Sequence, residues 1–447
     1  MAASASDVTL AEASRFWFQL GWVSFGGPAG QIALLQRELV ERRRWLSERR
    51  YLHALNYCML LPGPEAMQLA TYLGWLMHGV PGGLIAGGLF VIPSVFVLTA
   101  LASIYALWGQ LPLLASVFAV LKPAVLAIVL MAAWRIGRRT LRTPLLVALS
   151  IGGFLAMALL NLPYPLVVIT AGVIGLVVAR WRPALLLSGG AHGPGSAQGT
   201  ADRPAALHDD HTASPEHARF SKRKLALTLL IWALALLLPL AGVVAIGGWN
   251  GSLAVMARFF TRVALLSFGG AYAVLPYVAQ GAVEQFGWLS AGQMLDGLAL
   301  GETTPGPLIM VVAFVGFMGG WNQALAASTS PWPLALAAVA VTVWFTFLPS
   351  FGFILAGAPL VEASRNDLRL GAPLSAITAV VVGVIASLAL FFARPVLFNN
   401  GTFQPWAVLV VIAALVAQLQ WRWSVLQVIG AAAGLGIAVA GLTQALN

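Results

Sequence analysis

Residues 15–27 read RFWFQLGWVSFGG, and residues 258–270 read RFFTRVALLSFGG. Each has an arginine nine residues before a serine that opens Ser-Phe-Gly-Gly. The two stretches lie 243 positions apart, and the register holds outward without a gap: Trp45-Leu46-Ser47 falls on Trp288-Leu289-Ser290, and Pro62-Gly63-Pro64 on Pro305-Gly306-Pro307. Chance does not keep register over such a length, so the chain is built from two homologous halves. A looser match joins FVIPSVF around Pro93 to FTFLPSF around Pro349, with the offset lengthened to 256.

The repeat sits in an apolar chain: 60% of 447 residues are hydrophobic, 9% are charged, and the mean hydropathy is +0.87. That composition belongs to a polytopic membrane protein whose surroundings are the lipid bilayer. The net charge of +10 is not the footprint of a nucleic-acid partner, because the cations cluster in short loops such as ERRRWLSERR (41–50) and RIGRRTLR (135–142). This is how cytoplasmic loops look. The opening MAASASDVTLAEASRFW lacks a basic n-region and a clean apolar core, so a retained start is expected. The single cysteine, Cys58, excludes an intrachain disulfide and a thiolate metal cluster. Neither a metal nor a cofactor is expected.

Runs of spanning length occur near 82–108, 123–141, 144–160, 163–180, 225–247, 332–357, 371–393, 403–420 and 424–444. The expected domains are a first repeat over 1–182, a flexible cytoplasmic linker over 183–224, a connecting transmembrane helix over 225–248, and a second repeat over 249–447. The linker holds His192, His208, His211 and His217 without a repeated ligand spacing, so it reads as solvated chain.

Charge orients the halves. Loop 37–50 carries six arginines and three glutamates, hence +3, whereas its repeat partner 280–293 carries Glu284 alone, hence −1. Equivalent loops of opposite character should face opposite sides, which makes the halves inverted-topology repeats. If loops 37–50 and 135–142 are both cytoplasmic, the segment around Pro62-Gly63-Pro64 must enter and leave on one side. A re-entrant helical hairpin with its tip at that motif is expected, with further breaks at Gly26-Gly27-Pro28 and Gly269-Gly270. The expected fold class is thus an all-α polytopic membrane protein of two inverted repeats with broken, re-entrant hairpins.

Broken helices expose backbone N–H groups at the positive ends of helix dipoles, which suits an anion. The glycines let a ligand approach, and Ser24 and Ser267 offer hydroxyl donors. Arg15 and Arg258, about two turns before the serines, either face a cavity or snorkel to the interface. Glu65 and Glu302 flank the two Pro-Gly-Pro motifs without being repeat-equivalent, since Glu65 falls on Leu308 and Glu302 on Met59; carboxyls at that depth are candidates for proton coupling. Lys122, before a proline taken to start a helix, reads as an entrance or interfacial residue. Serine-hydrolase chemistry is disfavoured, because the second copy offers Ser267 no histidine; the chain reads as no enzyme.

The stretches LGWVSFGGPAGQIALLQRELVERRRWLS, LLPGPEAMQLATYLGWLMHG, SFGGAYAVLPYVAQGAVEQFGWLS and ETTPGPLIMVVAFVGF resemble the paired signatures of the chromate ion transporter family, long-chain bidomain type. The resemblance implies a bacterial inner-membrane protein that exports chromate and confers chromate resistance; a transporter or channel for sulfate or another oxyanion, sulfate sharing chromate's shape and charge, is the rival reading. It marks Ser24, Phe25, Gly26 and Gly27, Pro62, Gly63, Pro64 and Glu65, Ser267, Phe268, Gly269 and Gly270, and Glu302, Thr303, Thr304, Pro305 and Gly306 as functional positions. A homodimer is left open.

Overall fold

Proline and glycine decide where the helices stop. The computed structural model describes residues 8–181, 216–268, 270–363, 371–399 and 401–446, and among these the chain is almost wholly helical. The first half comprises α1 (Leu10–Val23), α2 (Gly27–Gln36), α3 (Glu48–Leu60), α4 (Glu65–Trp108), α5 (Pro112–Thr140), α6 (Pro144–Ala158) and α7 (Tyr164–Trp181). Helix α8 (Lys222–Gly247) joins it to α9 (Ser252–Leu265), α10 (Ala271–Ala279), α11 (Ala291–Thr303), α12 (Val311–Ala326), α13 (Pro331–Ala363), α14 (Gly371–Leu397), α15 (Pro405–Leu419) and α16 (Val425–Leu446). Eight described helices are long and apolar enough to cross a membrane. The protein is an all-α polytopic membrane protein, whose one described sheet is a two-residue hairpin pairing Phe398–Asn399 with Thr402–Phe403.

The repeat survives bond for bond. A π-helical turn at Arg37–Arg42 returns at Gln280–Gln285. Trp45 N–H donates to Leu39 O and Trp288 N–H to Ala282 O, both at 2.8 Å. Ser47 and Ser290 cap α3 and α11, accepting from the backbone N–H three residues on at 3.2 and 3.1 Å. Helix α4 corresponds to α12 and α13 together. Its join is a kink at His78 and Gly79, where the glycine takes φ 65°, whereas the second half breaks outright between α12 and α13.

Several expectations are corrected. Pro123 does not start a helix: α5 begins at Pro112 and carries Pro123 inside it. An interior proline is tolerated in a membrane helix when its neighbours satisfy the freed carbonyl. The run near 82–108 is the second of the two helical pieces that α4 joins across the His78–Gly79 kink. Of the linker, residues 183–215 lie outside the described residues, but a short 3-10 turn at Glu216–Ala218 packs down. There His217 Nε2 lies 2.9 Å from Trp75 O, beside the Gly79 kink.

Packing exchanges the halves. Helix α14 lies against α5, α6 and α7, and its counterpart α5 lies in return against α14, α15 and α16. Helix α12 is almost wholly buried at the centre, while α8 buries no residue and rides outside on α13, to which Trp232 and Trp344 bind it through Leu348 O and Ala235 O. The α6–α14 seam brings backbones together: a Cβ at Gly153 would stand 2.8 Å from Val380 O, whereas at Gly152 it would meet open space. Gly153→Leu should therefore cost about 1–3 kcal/mol through overpacking, read as a lowered denaturation midpoint in detergent, with Gly152→Leu unchanged.

Candidate functional site

The four expected breaks exist, and they meet in pairs. Gly63 N–H donates to Ser267 O at 3.0 Å, and Gly306 N–H donates to Ser24 O at 2.8 Å. Adding 243 to Gly63 gives Gly306 and subtracting it from Ser267 gives Ser24, so the two bonds are one bond repeated with the halves exchanged. Each Pro-Gly-Pro tip thus docks on the other half's Ser-Phe-Gly-Gly break. The geometry needs glycine, because Gly63 (φ 132°), Gly306 (φ 94°), Gly26 (φ 92°), Gly27 (φ 69°) and Gly270 (φ 90°) all take left-handed backbone. Gly269 lies outside the described residues.

A second repeated contact seals each crossing. Ser94 and Ser350, equivalent at the offset of 256, stand where a Cβ on Gly306 and on Gly63 would have to go. The Ser94 hydroxyl donates to Pro305 O. On the other side, the Gln68 amide donates to Pro62 O at 2.7 Å and to the Ser350 hydroxyl at 3.4 Å. Gln31, whose counterpart is Val274, braces the first crossing by donating to Ser24 O at 3.1 Å and Gly306 O at 2.5 Å. The Oε1 atoms of both glutamines are buried without a donor.

Four helix starts face these crossings without a side-chain cap: α2, α4, α10 and the 3-10 turn Leu308–Met310 that leads into α12. Uncapped N–H groups at a dipole end are the elements of an anion site. The hydroxyls are used differently from the sequence expectation. Ser24 donates to Leu20 O at 2.5 Å, Ser267 to Ala264 O at 2.9 Å, Thr303 to Leu300 O at 2.7 Å and Thr304 to Gly301 O at 2.9 Å. Each hydroxyl has one hydrogen and it is committed to its own helix, so the breaks offer backbone amides. Phe25 is exposed at the first break and Phe268 half-buried at the second. Pro62, Pro64 and Pro305 are buried with the tips.

The arginines are not brought to the breaks. Arg258 donates to Trp249 O at 2.7 Å and lies 4.2 Å from the Trp249 ring centre, so it reaches away from Ser267 toward the start of α9. Nine residues of helix separate the two by about 13 Å. Arg15 is exposed on α1.

The carboxyls, by contrast, both border α10, although Glu302 lies three residues before the Pro305 tip of the first crossing. Glu302 accepts from the Tyr272 hydroxyl at 2.5 Å, and Glu65 Oε1 stands 3.8 Å from where a Cβ on Gly270 would be. Sequence reasoning missed a second cluster: buried Asp296 accepts from the Tyr105 hydroxyl at 2.8 Å and pairs with Lys122 at 3.5 Å, tying α4 and α5 of the first half to α11 of the second. An acid in the apolar run of α11 was the available signal. A cavity of about 950 Å³ near Arg394, Glu284 and Asn161 lies apart from the crossings and contains none of the break glycines.

The family model described as chromate transporter matches residues 11–176 and 254–437. The chain belongs to the chromate transporter family. The two matched regions are the two halves, and the gap between them holds α8 and the segment before it. The chromate transport protein of Pseudomonas aeruginosa is 32% identical over 387 residues, 85% of this chain and 80% of that protein. The probable chromate transport protein of Synechococcus elongatus is 27% identical, covering 88% of this chain and 87% of its own length. The chromate transport protein of Cupriavidus metallidurans is 25% identical over 88% of this chain and 84% of its own. No solved structure matches the chain at a significant level. As a member of this family the chain is a membrane transporter rather than an enzyme.

The crossings predict a paired effect. Gly306→Ala should destabilise the protein by about 1–3 kcal/mol through backbone strain and the clash with Ser94. Adding Ser94→Ala should recover part of the lost melting temperature in detergent, while Ser350→Ala should recover none.

Proposed function

We propose that the protein exports chromate, a doubly charged tetrahedral oxyanion, from the cytoplasm across a bacterial inner membrane, and that the two crossings form its binding place. The carrying observation is the reciprocal pair of bonds from Gly63 to Ser267 and from Gly306 to Ser24, which gathers four uncapped helix starts at two neighbouring points. Backbone amides around Gly26, Gly27, Gly63, Gly270 and Gly306 would take the oxygens, and Arg15 and Arg258, midway along α1 and α9, would draw the anion in.

The opposite charge of loops 37–50 and 280–293 supports inverted halves, with the arginine-rich loop on the cytoplasmic side. Export needs no second ion. At roughly 2.3 kcal/mol per charge per 100 mV, a dianion leaving a negative interior gains about 4.6 kcal/mol, enough for a gradient on the order of a thousandfold. Proton antiport through Glu65 and Glu302 would add to this drive. Sulfate has the same shape and charge and is the competing substrate that amide donors alone reject least.

Uptake of chromate into everted vesicles, with sulfate as competitor, tests the reading. Gly27→Leu and Gly270→Leu should lower flux by about tenfold or more, equivalent to 1.4 kcal/mol or more. Arg15→Ala and Arg258→Ala should lower it by a smaller factor, with all four proteins still inserted. Wild-type flux in all four variants overturns the site assignment.

A further inference from the structure

The two crossings share a backbone and differ in chemistry. Beside the start of α2 at the first crossing the repeat places Ala29 and Leu308; beside the start of α10 at the second it places Tyr272 and Glu65. Glu302 is held by the Tyr272 hydroxyl. Glu65 is not held: among the described residues its carboxyl has neither a hydrogen-bond partner nor an ion-pair partner. It stands instead beside Gly270, the uncapped start of α10 contributed by the other half. One turn further along α4, Gln68 is fully buried with its amide nitrogen committed to the tip and its Oε1 left without a donor. The same position in the second half is Val311.

We propose that Glu65 is a tethered anion that competes with the transported oxyanion for the start of α10, so that the second crossing opens to substrate when this carboxyl takes a proton, while the first crossing, with Leu308 at the equivalent position, has no such competitor. The inference rests on the oxyanion reading above and adds its regulation. A carboxylate beside an uncapped helix start is drawn to the same positive dipole end that a chromate oxygen would be. Protonation removes the charge that those groups attract and gives the carboxyl a hydrogen to donate, for which the bare Oε1 of Gln68 on the same face of the helix is an acceptor. Three other groups stand around the carboxyl. Cys58 on α3 lies within electrostatic reach of it, the Tyr272–Glu302 pair borders the same helix start, and Arg135 on α5 lies within electrostatic reach of Tyr272.

Linkage fixes the sign. Proton and oxyanion favour each other's binding, so affinity falls as pH rises. Chromate binding to the purified full chain is measured by calorimetry at pH values from about 6 to about 8, for the wild type, Glu65→Gln, Glu65→Ala and, as a control at an exposed acid away from both crossings, Glu284→Gln. The substrate's own titration cancels in the ratio of wild-type to variant Kd. That ratio should rise with pH for both Glu65 variants, by about tenfold per unit at most, the limit for a single linked proton. For Glu284→Gln it should stay flat. A flat ratio in whichever Glu65 variant folds, or weaker binding by that variant at every pH, overturns the inference and leaves the oxyanion reading standing. Absence of chromate binding by the wild type overturns both.

Discussion

Two backbone hydrogen bonds hold this architecture together. A helix broken inside an apolar bundle strands amides and carbonyls, each costing several kcal/mol if left bare in hydrocarbon. Here the break in one half supplies what the break in the other lacks: Gly63 N–H meets Ser267 O, and Gly306 N–H meets Ser24 O. The glycines at the tips follow from the same contact, since Ser94 and Ser350 occupy the space a side chain would need.

The rest of the bundle reads as support for that contact. The exchange of α5 and α14 across the seam fixes the relation of the halves, and the bond of Lys122 and Tyr105 to Asp296 adds a polar tie between them. Truncating one partner of such a buried pair leaves an uncompensated charge, so the tie constrains more than its net energy suggests. Helix α8, outside the exchange and wholly without buried residues, changes the direction of the chain without entering the core.

The positions of the breaks were legible in the sequence because glycine and proline act locally: Gly26-Gly27 and Pro62-Gly63-Pro64 interrupt helices wherever the chain folds. The 243-residue register carried them to the second half, and even the π-helical turns recur under it. Which break touches which was not legible, because the reciprocal docking joins segments more than two hundred residues apart. The hydroxyls of Ser24 and Ser267 turned back to carbonyls of the preceding turn, and Arg258 turned to Trp249 because an aromatic face and a carbonyl lay within its reach. The convergence of Glu65 and Glu302 was hidden by the alignment itself, which sets them opposite Leu308 and Met59 and therefore apart.

That convergence has an energetic consequence which duplication alone would not produce. A doubly charged guest and one ionised carboxylate at a separation of about 6 Å, with an effective dielectric constant of about 20, repel by roughly 5.5 kcal/mol. At 1.4 kcal/mol per tenfold, this is about four orders of magnitude in joint occupancy. An ionised Glu65 and a bound dianion are therefore alternatives at the start of α10, whereas Leu308 imposes no such choice on the twin crossing. Under the proposed competition, two halves with one backbone design respond differently to a proton because Glu65 stands where the twin has Leu308.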